Sequence, residues 1–137
     1  MRNRIYRESY IKINLIFGVI ILLIFIYSGI FSTEKQNHPI PSFYLEISGE
    51  RPLSSGLSGS FSEIIRGNFN NAKNYNIYGM RIFIFFAAQL FFRIVFSFIY
   101  HYKILFHRLV ILSDCTISSL FFITCFWPFI LNILNHI

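Results

Sequence analysis

Charge is what this sequence has least of. Only 13% of the 137 residues are charged and just six of them are acidic, against roughly 25% charged in an ordinary soluble domain. With 55% hydrophobic and 20% aromatic residues, a soluble chain of this length lacks the polar surface to cover its apolar segments. The sequence is therefore expected to have a lipid bilayer as its solvent.

Cysteine is scarce as well. The two present, Cys115 and Cys125, both lie in one apolar run, which excludes a disulfide scaffold. Ten positions apart on a helix they point about 80° away from each other, so neither a bridge nor a shared metal site follows. Glycine and proline are missing altogether between Met80 and Trp127. Turn punctuation therefore gives no help in dividing that stretch.

Also missing are GxSxG, HExxH, a glycine-rich phosphate loop and CxxC. Without them the usual hydrolase, metalloprotease, nucleotide and redox chemistries have no anchor, and no cofactor is implied. His101 and His107 stand six apart with no carboxylate or cysteine beside them in the turn, which is poor spacing for a metal. The expectation is a non-enzymatic protein.

What is present is three long apolar runs. The first, at 13–31, reads INLIFGVIILLIFIYSGIF; the second, at 80–100, reads MRIFIFFAAQLFFRIVFSFIY; the third, at 109–131, reads LVILSDCTISSLFFITCFWPFIL. Each is close to the roughly 20 residues that cross a 30 Å hydrocarbon core. A single helix through the last two runs would be about 72 Å long at roughly 1.5 Å per residue, more than two membrane thicknesses. The chain is expected to reverse near 101–108, where His101, Lys103, His107 and Arg108 gather with Tyr100 and Tyr102 like an interfacial belt. Pro128 is expected to kink or end the third span, with Trp127 as an interfacial anchor. The fold class that follows is an all-α membrane protein with three transmembrane helices, the last two forming a hairpin.

The organisation expected is a basic segment at 1–12, a first span at 13–31, a polar extracytoplasmic loop at 32–79 and a helical hairpin at 80–134. The basic start resembles a signal-peptide leader, but its apolar run is long and no small-x-small site follows in SGIFSTEKQ. An uncleaved anchor is expected. Within the loop, Phe43, Leu45 and Ile47 alternate with Tyr44, Glu46 and Ser48, the period of a short strand. Ser60 and Glu63 have capping-box spacing before Ile64 and Ile65, which suggests a short helix ending at Gly67.

A net charge of +6 raises the question of nucleic acid. The location of the charges answers it. Arg2, Arg4, Arg7 and Lys12 precede the first run, and Lys103 and Arg108 separate the other two. That is the positive-inside pattern of a multi-pass protein with its N-terminus cytoplasmic and its C-terminus outside, as in a bacterial inner membrane. No nucleic-acid partner is expected.

The candidate site is a polar stripe inside the apolar runs. Gln89, Arg93, Ser97 and Tyr100 recur at i, i+4, i+8 and i+11 of the second span, and His107, Asp114, Ser118 and Cys125 at intervals of seven, four and seven in the third. Lipid offers neither face a hydrogen-bond partner, so on antiparallel neighbours the two should turn toward each other. Arg93 and Asp114 fall at similar depth, roughly 10 Å and 9 Å from the turn at 1.5 Å per residue. An ion pair follows. Two other readings stay open, with Arg93 snorkelling to the interface or Asp114 protonated. The first run, almost free of polar side chains and without a GxxxG pair, reads as a lipid-facing anchor.

Two function classes fit. One is a contact protein, an accessory subunit or immunity-type protein whose partners are the lipid bilayer and another membrane protein. The other is an ion- or proton-conducting element built by homo-oligomerisation around the stripe of Gln89, Arg93, Ser97, His107, Asp114 and Ser118.

Overall fold

A computed structural model describes residues 2–30, 53–102 and 107–135. They form five helices: Arg2–Ile30 (α1), Leu57–Ile65 (α2), Phe69–Tyr75 (α3), Gly79–Tyr102 (α4) and His107–Asn135 (α5). Among the described residues there is no strand. The strand suggested around Phe43, Leu45 and Ile47 lies outside them. Three segments, Ser9–Ile30, Gly79–Tyr102 and His107–Asn132, are long and apolar enough to cross a membrane. The protein is thus all-α with three candidate spans, and its composition marks it as a membrane protein.

The helices overrun the apolar runs. Nothing in the basic N-terminal segment breaks a helix, so α1 begins at Arg2 rather than at the first apolar residue. Pro128 lies inside α5, which continues to Asn135. α4 is described to Tyr102 and α5 from His107, and the two bounds fall within the stretch where length alone demanded a reversal.

The chain divides into two compact units, one made of Met1–Leu23 with Phe85–Ile137 and the other of Ile24–Ile84. In the first, α4 and α5 are antiparallel in a constant register. Tyr100 packs at a tilt against His107 with ring centroids 4.3 Å apart, Arg93 meets Asp114, Gln89 meets Ser118 and Phe85 meets Phe122 at 5.9 Å. The steps along the two helices match, seven then four then four. Phe85 also touches Phe121 and Phe126, at 6.1 and 5.2 Å. Such ring contacts matter in lipid, where burial of apolar surface gives no net drive and packing must hold helices together. The N-terminal part of α1 runs antiparallel to α4, with Tyr10 4.5 Å from Tyr100 and Asn14 against Arg93.

The second unit contains α2 and α3. Phe61, Ile64, Ala72 and Ile82 are buried, and Phe83 meets Phe25 at 4.9 Å and Phe61 edge-on at 5.4 Å. The capping-box expectation is corrected here. α2 begins at Leu57, so Ser60 is an interior helical residue, fully buried, and makes no side-chain cap. Burial of one face of LSGSFSEII outweighed the local cap signal. The helix does end as expected at Gly67, whose φ of 80° lets the N–H of Gly67 reach the Ile64 carbonyl and that of Asn68 reach Glu63, a Schellman ending. Asn76 then fixes the chain before α4. Its Nδ2 donates to the carbonyls of Leu53 and Ser55 at 2.7 and 2.8 Å, and its Oδ1 accepts from the Tyr78 N–H at 2.8 Å. Gly79 opens α4 where a Cβ would overlap the Ser60 side chain, so only glycine fits.

Candidate functional site: a polar cluster among three helices

Arg93 is the hub of the first unit. An arginine has only donors, so whatever surrounds it within an apolar helix must offer acceptors. Its Nη2 lies 2.6 Å from Asp114 Oδ1 and 2.7 Å from Ser118 Oγ, with Gln89 Oε1 at 3.3 Å. Its Nη1 lies 3.0 Å from Asp114 Oδ2 and 2.8 Å from Asn14 Oδ1. The carboxylate is thus engaged through both oxygens, the bidentate geometry in which guanidinium pairs are strongest. Arg93 does not snorkel.

Asp114 is correspondingly enclosed, with 1% of its surface exposed. Its second oxygen accepts the Tyr10 hydroxyl at 2.7 Å, and Oδ1 also lies 3.2 Å from the Ser118 hydroxyl. All of these contacts are donors, so the surroundings suit an acceptor-only carboxylate. Four donor contacts fill the two oxygens.

The stripe read from the sequence divides in two. Gln89, Arg93, Asp114 and Ser118 converge. Ser97 and His107 do not join them: Ser97 lines a groove between α1 and α4, and His107 places Nε2 3.2 Å from the Tyr100 carbonyl, closing the end of the hairpin. Two members were absent from the sequence reading. Tyr10 and Asn14 of α1 both enter the cluster, so the first span adds one packed stripe to an otherwise outward-facing helix on which Leu15, Ile16, Phe17, Ile20 and Leu23 stay exposed. The available signal was their i, i+4 spacing, continued by the buried Ile21 seven residues on.

The consequence is mechanical. Asn14 ties α1 to α4, Tyr10 ties α1 to α5, and Arg93 and Gln89 tie α4 to α5. Each interhelical hydrogen bond in a membrane is worth about 0.6 kcal/mol on average and up to about 1.7. Removing one partner of a buried ion pair costs about 3–5 kcal/mol because the other charge is stranded.

The arginine also sets the direction of its amide neighbours. Because Asn14 and Gln89 must present oxygen to it, their Nδ2 and Nε2 atoms face away, and both are buried without a hydrogen-bond partner among the described residues. Among those residues no group of three or more His, Cys, Asp or Glu side chains converges. No protein-family model, curated protein or solved structure matches this chain.

Proposed function

We propose that the protein is a non-enzymatic, multi-pass component of a bacterial inner membrane that acts by contact with another membrane protein, as an accessory subunit or an immunity-type protein. The observation that carries this reading is the closure of the polar cluster. Asp114, with 1% of its surface exposed, spends its hydrogen-bonding capacity on Tyr10, Arg93 and Ser118, so the charges serve to lock three helices. What remains for recognition is the outward surface. In the segment before α4 that surface includes Phe69, Tyr75 and Ile77, exposed by 51, 41 and 74%, an unusual concentration for a polar loop.

The orientation proposed has the N-terminus and the α4–α5 turn in the cytoplasm and residues 32–79 outside. Support comes from the basic residues at 1–12 and 103–108 in the sequence and from Tyr10 lying beside Tyr100, which brings the first turns of α1 and the end of α4 to one side.

The test is crosslinking in native membranes from photoreactive residues placed at Phe69 and Ile77. A single heterologous adduct from both positions, lost when Phe69, Tyr75 and Ile77 are changed to serine, is expected. A homo-oligomer as the sole adduct, together with proton flux that disappears in Asp114→Asn, would replace this reading with a conducting one.

A further inference from the structure

The α2–α3 pair is seated against the ends of two spans. Phe61 of α2 meets Phe83 edge-on at 5.4 Å, and Phe83 in turn lies 4.9 Å from Phe25. Ile65 packs over Gly29, where a Cβ would lie 3.7 Å from its Cγ2. Phe25, Gly29 and Phe83 all belong to candidate spans. Phe83 stands four residues beyond Gly79, about 6 Å inside the start of α4 at roughly 1.5 Å per residue. α2 therefore lies at the level where the spans leave the hydrocarbon. α3 is folded onto it, with the Tyr75 ring so close over Gly59 that a Cβ there would meet it at 2.8 Å.

We propose that the outer face of this pair is a membrane-interface surface, with Phe69, Tyr75 and Ile77 sunk among the headgroups of the bilayer that holds the spans and Lys73 and Arg81 on the phosphates of anionic lipids.

The period of α3 gives the first support. In FNNAKNY, Phe69, Ala72 and Tyr75 recur every third residue on one side, and Asn70 and Asn74 fall on the other. Ala72 is buried, whereas Phe69 and Tyr75, on either side of it, stay exposed. The packed face is thus flanked by rings that α2 does not cover. An apolar stripe opposite a polar one is the pattern of a helix lying in an interface.

Tethering says what covers those side chains. Ile77, the most exposed of the three, stands two residues before α4 begins at Gly79. Two residues reach at most about 7 Å, so Ile77 is held at the surface of the membrane that α4 enters. Charge names the lipid. Among the described residues of this unit the exposed charged side chains are Arg66, Lys73 and Arg81, all basic, while the acidic Glu63 is buried. Lys73 is four residues from Phe69 and Arg81 four from Ile77, so each apolar side chain has a cation close in the chain, as anionic headgroups favour.

This placement goes beyond the contact function and rests on that reading only for its consequence: a membrane partner meets Phe69, Tyr75 and Ile77 within the headgroup layer, through the ends of its own spans.

The experiment uses the full-length protein alone, carrying Cys115→Ser and Cys125→Ala, in vesicles of dioleoyl phosphatidylethanolamine and phosphatidylglycerol. Spin labels are attached at Phe69→Cys, Ile77→Cys, Asn70→Cys or Asn74→Cys, one per chain. Collision with lipid-soluble oxygen is then compared with collision with a water-soluble nickel chelate. The oxygen-to-nickel ratio at 69 and 77 is expected to exceed that at 70 and 74 by at least about fivefold, the contrast between headgroup layer and water. Replacing phosphatidylglycerol by phosphatidylcholine should reduce the contrast by about half or more, and Lys73→Gln with Arg81→Gln should do the same in the anionic vesicles. Ile77→Trp in a Trp127→Phe chain gives a reading without a label. Its emission should be quenched by lipids brominated near the top of the acyl chain, and quenching by aqueous acrylamide alone overturns the surface. Equal ratios at the four labelled positions also overturn it. A contrast unchanged without anionic lipid overturns the part given to Lys73 and Arg81, and one that appears only with spin–spin broadening between copies assigns the face to a second copy in place of lipid. Because no partner is present, labels found in water overturn this placement and leave crosslinking in native membranes unaffected, while a missing partner adduct leaves the depth profile unaffected.

Discussion

Tyr10 and Asp114, 104 residues apart in the chain, share a 2.7 Å hydrogen bond from hydroxyl to carboxylate. It joins the first span to the last and makes the ion pair of the hairpin a property of all three helices. Two helices would suffice to neutralise Arg93 with Asp114. The third supplies a tyrosine and an asparagine that complete the coordination of both charges, which is what a low-dielectric surrounding demands.

Loss of either charge should be severe. Arg93→Leu or Asp114→Asn is expected to destabilise the folded state by about 3–5 kcal/mol, seen as a large fall in membrane abundance and an earlier midpoint in SDS titration. Exchanging the two, Arg93→Asp with Asp114→Arg, should recover part of the loss. A swap no better than the singles would show that the pair itself is not what stabilises.

Tyr10→Phe tests the reach of the cluster into α1. It should cost about 0.6–1.7 kcal/mol, and in a double-mutant cycle with Asp114→Asn most of that cost should vanish because the acceptor is already altered. Strictly additive effects would mean that the hydroxyl does not act through Asp114.

Two serines on neighbouring helices separate the stripe seen in the sequence from the cluster seen in the structure. Ser118→Ala should cost about 1 kcal/mol, since it removes a partner of Arg93, while Ser97→Ala should stay within about 0.5 kcal/mol. Equal effects in the same SDS titration would contradict the division.

The junction into α4 is tightly set. Gly79→Ala should destabilise by about 1–3 kcal/mol through overlap with Ser60, and Ser60→Gly in the same chain should recover much of it. Thermal aggregation in detergent reads both variants. An unchanged midpoint for Gly79→Ala would mean that the approach is looser than it stands.

Asn76 holds the α2–α3 segment through three hydrogen bonds. Asn76→Leu should raise proteolytic nicking between 53 and 78 in sealed vesicles by roughly tenfold, the effect of about 1.4 kcal/mol on the open population. Nicking seen only when the outer face is exposed would also fix the orientation; no change in rate would leave Asn76 without the clamping role.

The sequence alone determined the class of this protein and four of the six members of its polar cluster. Run length fixed the number of spans, because hydrocarbon thickness admits only one crossing per twenty or so residues. Helical periodicity brought Gln89, Arg93, Asp114 and Ser118 to facing stripes, since in a short hairpin register follows from the turn. Only the tertiary structure decided that Tyr10 and Asn14 belong with them and that Ser97 and His107 do not. The azimuth of α1 against the hairpin, separated from it by the whole of 32–79, is set by which side chains meet the hub, and no local pattern encodes that rotation. The same competition explains α2, where burial of a face overruled a cap signal that spacing alone had suggested.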